Sequence, residues 1–196
     1  MTKERGFSLI ELVITITVLT IMTLGAMPLV KVAVRRQKEQ QLRESLRQVR
    51  IAIDEFHRDT VGMPCTGGII PGGGGGGGGQ PPPLDPRSKV VISDCTIFGV
   101  DNPDHYPPDL ETLVNGVNVI SRSVPLVKDK ATDPISAKQK VYLRKLPIDP
   151  MTGKAEWELR SSYDPADAGS WGGENVFDVR SKSKATALNG EKYSDW

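Results

Sequence analysis

One carboxylate, Glu11, stands in an otherwise uncharged run from Phe7 to Val30. As a helix, that run of about 24 residues extends roughly 36 Å, enough to cross a hydrocarbon layer about 30 Å thick. The chain must therefore accommodate a membrane-length helix with one acid in it. An ionisable group in such a helix costs about 2.5–3.5 kcal/mol on insertion scales, so it is read as functional and its partner is sought. No basic side chain lies in the run. An α-amino group is mostly cationic at neutral pH, with an ordinary pKa of about 7.7–8.0, and can compensate the carboxylate. The bland alternative is an acid lying incidentally at headgroup level.

A short charged leader, Met1 to Arg5, ends at the junction Gly6-Phe7. The string Arg5-Gly6-Phe7-Ser8-Leu9-Ile10-Glu11-Leu12 resembles the type III signal of prepilins and pseudopilins. The resemblance implies cleavage between Gly6 and Phe7 by a prepilin peptidase and N-methylation of Phe7. It also implies that Glu11 pairs with the Phe7 amine of a neighbouring subunit during filament assembly. Lys3 and Arg5 leave with the leader. Such a pair adds little net stability, because desolvation offsets attraction, yet breaking it costs about 3–5 kcal/mol; it sets register more than strength.

An ordinary signal peptide is the competing reading. Lys3 and Arg5 form a basic start, and Thr23-Leu24-Gly25-Ala26 is a small-residue cleavage candidate that would release a secreted domain beginning at Met27. The apolar run is long for the 7–15 residues of such a segment, and Glu11 interrupts it. Lys31, Arg35, Arg36 and Lys38 outnumber the basic residues of the leader, so the positive-inside rule does not give the orientation. Only the resemblance does, placing the C-terminal head in the periplasm of a bacterial inner-membrane protein.

After Pro28 the sequence becomes polar but keeps helical spacing, with Leu42, Leu46, Val49, Ile53 and Phe56 on one stripe and a charged face around it. One helix from Phe7 to about Arg58 would be near 78 Å long. Pro28 removes one hydrogen bond and collides with the Leu24 carbonyl, and Gly25 weakens the same turn, so a helix break is expected there. The chain divides into a leader (1–6), an apolar half-helix (7–30), an amphipathic half-helix (31–58), a Gly/Pro-rich region (59–105) and a C-terminal head (106–196). Within the Gly/Pro-rich region, Gly72 to Gly79 are eight consecutive glycines followed by Gln80 and three prolines, which predicts disorder. A phosphate-binding loop would need Lys-Ser/Thr after the glycines. Lys89 to Ser93 is a candidate strand.

In the head, Tyr106 to Val114 reads as a short helix after prolines and stopped by Asn115-Gly116. Leu146-Pro147-Ile148-Asp149-Pro150 and Thr152-Gly153 mark a tight turn. Trp157 to Arg160 and Val176 to Val179 alternate as strands of a sheet with one wet face. Terminal Trp196 is expected to plug the core. The fold class is α+β: a long, partly transmembrane helix on a small antiparallel sheet.

Formal net charge is +1 with both signs interspersed, so no nucleic-acid footprint is present. Cys65 and Cys95 are the only cysteines. Export to an oxidising compartment would allow them to pair, closing a loop of about 31 residues and stabilising by roughly 3–4 kcal/mol. His57 and His105, with Asp54, Asp104 and Asp109 nearby in sequence, are the catalytic candidates, but no metalloprotease or nucleophile-elbow motif accompanies them, and an enzyme is not expected.

The Tyr-Pro segment before a helix, the Leu-Pro-x-Asp-Pro turn, two strands and the terminal Asp195-Trp196 together resemble the G-type major pseudopilin of type II secretion systems. That resemblance implies a periplasmic filament of identical copies, extended from an inner-membrane assembly platform with minor pseudopilins. Type IV pilus pilins are the alternative; many carry a disulfide loop near the C-terminus, whereas Cys65 and Cys95 lie mid-chain. G-type members commonly bind calcium in the loop before the last aromatic. Here Asp178, Asn189 and Asp195 are the only metal candidates, and Lys182 and Lys184 argue against an ion that favours carboxylates. No other cofactor is expected.

Overall fold

The computed structural model describes residues 8–63, 85–122, 138–165 and 169–196, with the backbone alone described at 25–28. Helix α1 (Leu9–Thr60) carries 52 residues in one element, roughly 78 Å at 1.5 Å per residue. The expected interruption at Gly25 and Pro28 is absent from this helix, which is continuous through both positions. A proline leaves one carbonyl without its helical donor. That loss does not end a helix whose flanking turns are all intact.

The apolar stripe is the part of α1 that builds the head. Leu42, Leu46, Val49, Ile53 and Phe56 are all buried, and α1 packs on β5, β1 and α2. The elements after it are β1 (Val90–Ile92), α2 (Leu110–Asn115), β2 (Val117–Ser121), β3 (Lys138–Lys140), β4 (Trp157–Arg160), β5 (Asp178–Ser181) and a 3-10 turn (Tyr193–Asp195). They form two antiparallel sheets rather than one. β1-β2-β3 pairs with Ile92 opposite Val119 and Val117 opposite Lys140, while β4-β5 pairs with Trp157 opposite Ser181. Val91, Ile92, Val117, Val119, Trp157 and Val179 bring the apolar faces of both sheets to the α1 stripe, with Leu113 of α2 beside them. The architecture is the expected α+β one.

Local chemistry explains the junctions. Asp109 caps α2 by accepting from the Thr112 amide at 2.6 Å, and Gly116 ends it at φ 78°. A Cβ on Gly116 would lie 2.7 Å from the Lys140 carbonyl, so the α2–β2 turn needs glycine on two counts. In the proline-rich turn Asp149 is fully buried. Its carboxylate accepts from the Met151 amide at 2.7 Å and from the Ser181 hydroxyl at 2.6 Å, tying the turn to β5. Trp157 donates its indole N–H to the Pro147 carbonyl at 3.1 Å. Asp149 and the Pro147 carbonyl thus supply hydrogen bonds to groups that burial removes from water.

The terminal plug is Tyr193, not Trp196. Tyr193 is buried, whereas Trp196 is half-buried and lies under Arg43, whose guanidinium carbon is 4.3 Å from its ring centroid. The 3-10 turn directs the tyrosine inward because its hydroxyl reaches Glu39 on α1 at 2.9 Å.

Candidate assembly site

Glu11 sits in the first turn of α1, after Ser8, whose carbonyl accepts from the Leu12 amide at 3.1 Å. Around it, Leu9, Ile10, Leu12, Val13, Ile14 and the aliphatic residues up to Leu24 are exposed, and none is covered by the chain's own head. Thr15, Thr17, Thr20 and Thr23 each donate their hydroxyl to a carbonyl three or four residues earlier, at 2.8–3.0 Å. The threonine hydroxyls on this surface are thus satisfied within the helix, whereas no hydrogen bond or ion pair engages the Glu11 carboxylate among the described residues. Among the described residues no ion pair involves Glu11. The helix is long and apolar enough to cross a membrane and is compatible with a membrane anchor. Gly6 and Phe7 lie outside the described residues, as do Cys65 and the polyglycine segment. Cys95, in the loop after β1, is disulfide-bonded.

The lower head is fastened to α1 by polar ties that no periodicity argument found. Arg50 donates Nε to Asp178 at 2.7 Å and Nη2 to the Trp196 carbonyl at 2.6 Å and the Val179 carbonyl at 3.1 Å. Glu39 accepts from the Tyr193 hydroxyl and the Leu188 amide, both at 2.9 Å, and Arg35 donates to the Thr186 carbonyl. The only available signal was spacing: Arg35, Glu39, Leu42, Leu46, Val49 and Arg50 follow one helical face. Near the far end, the carboxylate of buried Asp59 accepts from Lys140 at 2.6 Å, Ser88 at 2.8 Å and Tyr142 at 3.0 Å. Burial alone would lower the Lys140 pKa, but its hydrogen bonds to Asp59 and Glu55 outweigh that and raise it. Burial, followed by the Asp59 charge, pushes the Tyr142 phenol far above its ordinary range.

The calcium candidates do not converge on a vacant donor set. Asp178 is held by Arg50, Asn189 is bonded to Glu191 at 2.6 Å, and Asp195 accepts from Ser194 at 3.1 Å. A carboxylate already neutralised by a guanidinium is a poor cation ligand, which applies to Asp178. Among the described residues no cluster of three or more His, Cys, Asp and Glu side chains is placed to hold a metal ion.

Near the far end of α1 each histidine packs against an aromatic ring. His57 stacks on Tyr106, with centroids 4.1 Å apart and 8° between planes, and His105 meets Phe98 edge-on at 4.9 Å. His105 is held below its ordinary 6.5, first by burial and then by the His57 charge, with Asp104 opposing. The unfolded chain thus binds more protons than the fold just below that value. The stabilisation is present above pH 6.5 and is lost as pH falls through the folded pKa. Thermal melts at about pH 7.5 and about pH 5.5 should show the head weakened in acid. His105→Asn, which suits the φ of 56° at this position, should reduce that difference.

The family described as the prokaryotic N-terminal methylation motif matches residues 1–27, which span the leader and the first turns of α1. No curated protein matches the chain. No solved structure matches it either. The match supports a type IV pilin-like protein, processed at its N-terminus by a prepilin peptidase and polymerising into filaments.

Proposed function

We propose that this chain is the major structural subunit of a periplasmic pseudopilus, cut between Gly6 and Phe7 and polymerised from the inner membrane to drive protein export by a type II secretion system. One observation carries the polymer reading: among the described residues, the apolar half of α1 is exposed, uncovered by its own head, and bears one acid with no ion pair. In the membrane, lipid covers that surface. In a filament, copies of the same helix cover it, and the Phe7 amine of each neighbour neutralises Glu11. The head contributes no catalysis in this reading; it is the exposed wall of the filament.

Assignment to secretion rather than to a type IV pilus rests on the head. The Tyr-Pro segment before α2, the Leu-Pro-x-Asp-Pro turn, the two strands and the terminal Asp195-Trp196 support that reading by their resemblance to the G-type pseudopilin, with the cysteines lying mid-chain. Gly6→Ala should leave the leader attached and exclude the chain from filaments. Mass spectrometry of the wild-type N-terminus should give methylated Phe7. A terminus at Met27 would instead identify a secreted domain, and a retained Met1 would remove the pilin reading. Export loss on deletion, with a neighbouring secretin and secretion ATPase, distinguishes the pseudopilus from a pilus.

A further inference from the structure

The loop from Ser181 to Lys192 is fastened to α1 just beyond its apolar half. Arg35 donates to the Thr186 carbonyl, and Glu39 accepts from the Leu188 amide at 2.9 Å. The loop is internally ordered as well, with a bridge between Thr186 and Lys192 and the Ala187 amide donating to the Glu191 carbonyl at 2.7 Å. Its depth follows from the helix. Arg35 and Glu39 lie five and nine residues past Val30, about 8–14 Å along the axis. The headgroup layer on each side of a bilayer is roughly 5–8 Å thick. When the apolar half occupies the hydrocarbon, this loop sits at or just above the headgroups, and flexible lysine side chains span the remaining distance.

The charge at that level is predominantly positive, although Arg35 pairs with Glu39 at 3.6 Å. Lys31, Arg35, Arg36 and Lys38 on α1 and Lys182 and Lys184 on the loop are all exposed, and Leu188 adds an exposed apolar tip. The neighbouring acids are engaged. Glu39 is taken by Tyr193 and Leu188, and Glu191 accepts from the Asn189 amide at 2.6 Å and the Trp196 indole at 3.1 Å. Glu156 meets Lys182 at 3.3 Å, with both side chains about half exposed, a pair that water largely screens. Before assembly, the abundant anion at this depth is lipid phosphate, which ammonium and guanidinium groups bind through charge-assisted hydrogen bonds.

We infer that the Lys182–Lys184 loop and the adjoining basic turns of α1 form a docking surface for anionic phospholipid, which holds the head of the unassembled subunit against the bilayer. The inference rests on the membrane-anchored reading above. Entry into a filament would then require these headgroup contacts to be released as the subunit leaves the bilayer.

The mature full-length chain, reconstituted in vesicles of phosphatidylcholine alone or mixed with phosphatidylglycerol, provides the test. Lysine acylation by a water-soluble reagent is read by mass spectrometry. Lys89 serves as internal control, because it is exposed at the opposite end of the head, where its carbonyl accepts from the Arg122 amide and Arg122 also reaches Val61. Lys182 and Lys184 should react about threefold or more slowly in the phosphatidylglycerol vesicles, with Lys89 unchanged and the protection lost at high salt. Lys184→Glu should weaken the protection of Lys182. Equal rates in both vesicles, with the chain still floating with them, would overturn the inference and leave the pilin reading intact. Protection that appears in phosphatidylcholine and grows with protein density would assign the surface to a second copy and overturn the lipid assignment. A chain that does not float with vesicles removes the membrane reading, and the inference with it.

Discussion

Glu11→Ala should give a chain that is still cut after Gly6 and still held in the membrane, but that no longer enters filaments. The acid costs about 2.5–3.5 kcal/mol to insert, so its loss should leave membrane retention unchanged or improved. Assembly moves the other way. In the packed helices the Phe7 amine of a neighbour would face alanine in apolar surroundings, and removing one partner of a buried pair costs about 3–5 kcal/mol. At about 1.4 kcal/mol per factor of ten, each subunit addition becomes at least a hundredfold less favourable. Membrane fractionation and filament yield are measured on the same cells. Normal filament yield from the variant would show that the acid does not set the register.

How much was legible follows from which forces act locally. The stripe from Leu42 to Phe56 was readable because a 3.6-residue period reports one buried face, and each of its five residues is buried. Helix α2 is legible at its end, where Asn115-Gly116 stops it, but it begins at Leu110, four residues later than the Tyr106 start, because Asp109 caps it there. Strand β4 was placed at Trp157 to Arg160, whereas β5 begins at Asp178, two residues later than the alternation from Val176 suggested. Asp178 there faces Arg160 across the sheet and Arg50 from α1, partners that periodicity cannot supply. β2 and β3 escaped notice. Three to five residues exist as strand only because a partner from elsewhere pairs with them, although Val117-Asn118-Val119 carried a faint alternation.

The candidate site divides in the same way. Glu11 declared itself by being the wrong residue for its surroundings, so composition alone exposed it. Arg50 and Asp59 are ordinary helix residues in sequence and gain their roles from partners more than eighty positions away at Asp178, Lys140 and Tyr142. In sequence, Trp196 reads as the plug because it is the terminal aromatic. The structure prefers Tyr193, whose hydroxyl has a carboxylate to meet. Lys182 and Lys184 counted in sequence only as an objection to calcium. Their nearness to the bilayer needed the Arg35 and Glu39 contacts with the loop.

The head is joined to its helix by burial, and Phe56 is the position where that joint can be broken. Phe56 is fully buried, meeting Tyr142 edge-on at 5.3 Å and Phe98 at 6.0 Å, so it links α1 to the segment after β3 and to the loop after β1. Phe56→Ala should cost about 3–5 kcal/mol, the sum of lost transfer energy and the cavity left behind. Against a total stability of order 5–15 kcal/mol, that removes a large share. It should lower the melting temperature of the head by at least about 6 °C, at roughly 2–4 °C per kcal/mol for a unit running from Arg35 to Trp196. Ile51→Ala, on the half-exposed side of the same helix, should shift it by a few degrees at most. Cleavage after Gly6 should persist in both variants, because the described apolar residues of α1 are exposed and lie outside the head's core. A Phe56→Ala chain that melts with the wild type would mean that the stripe is not what holds the head on its helix. A chain that melts early yet still polymerises would mean that helix packing alone builds the filament.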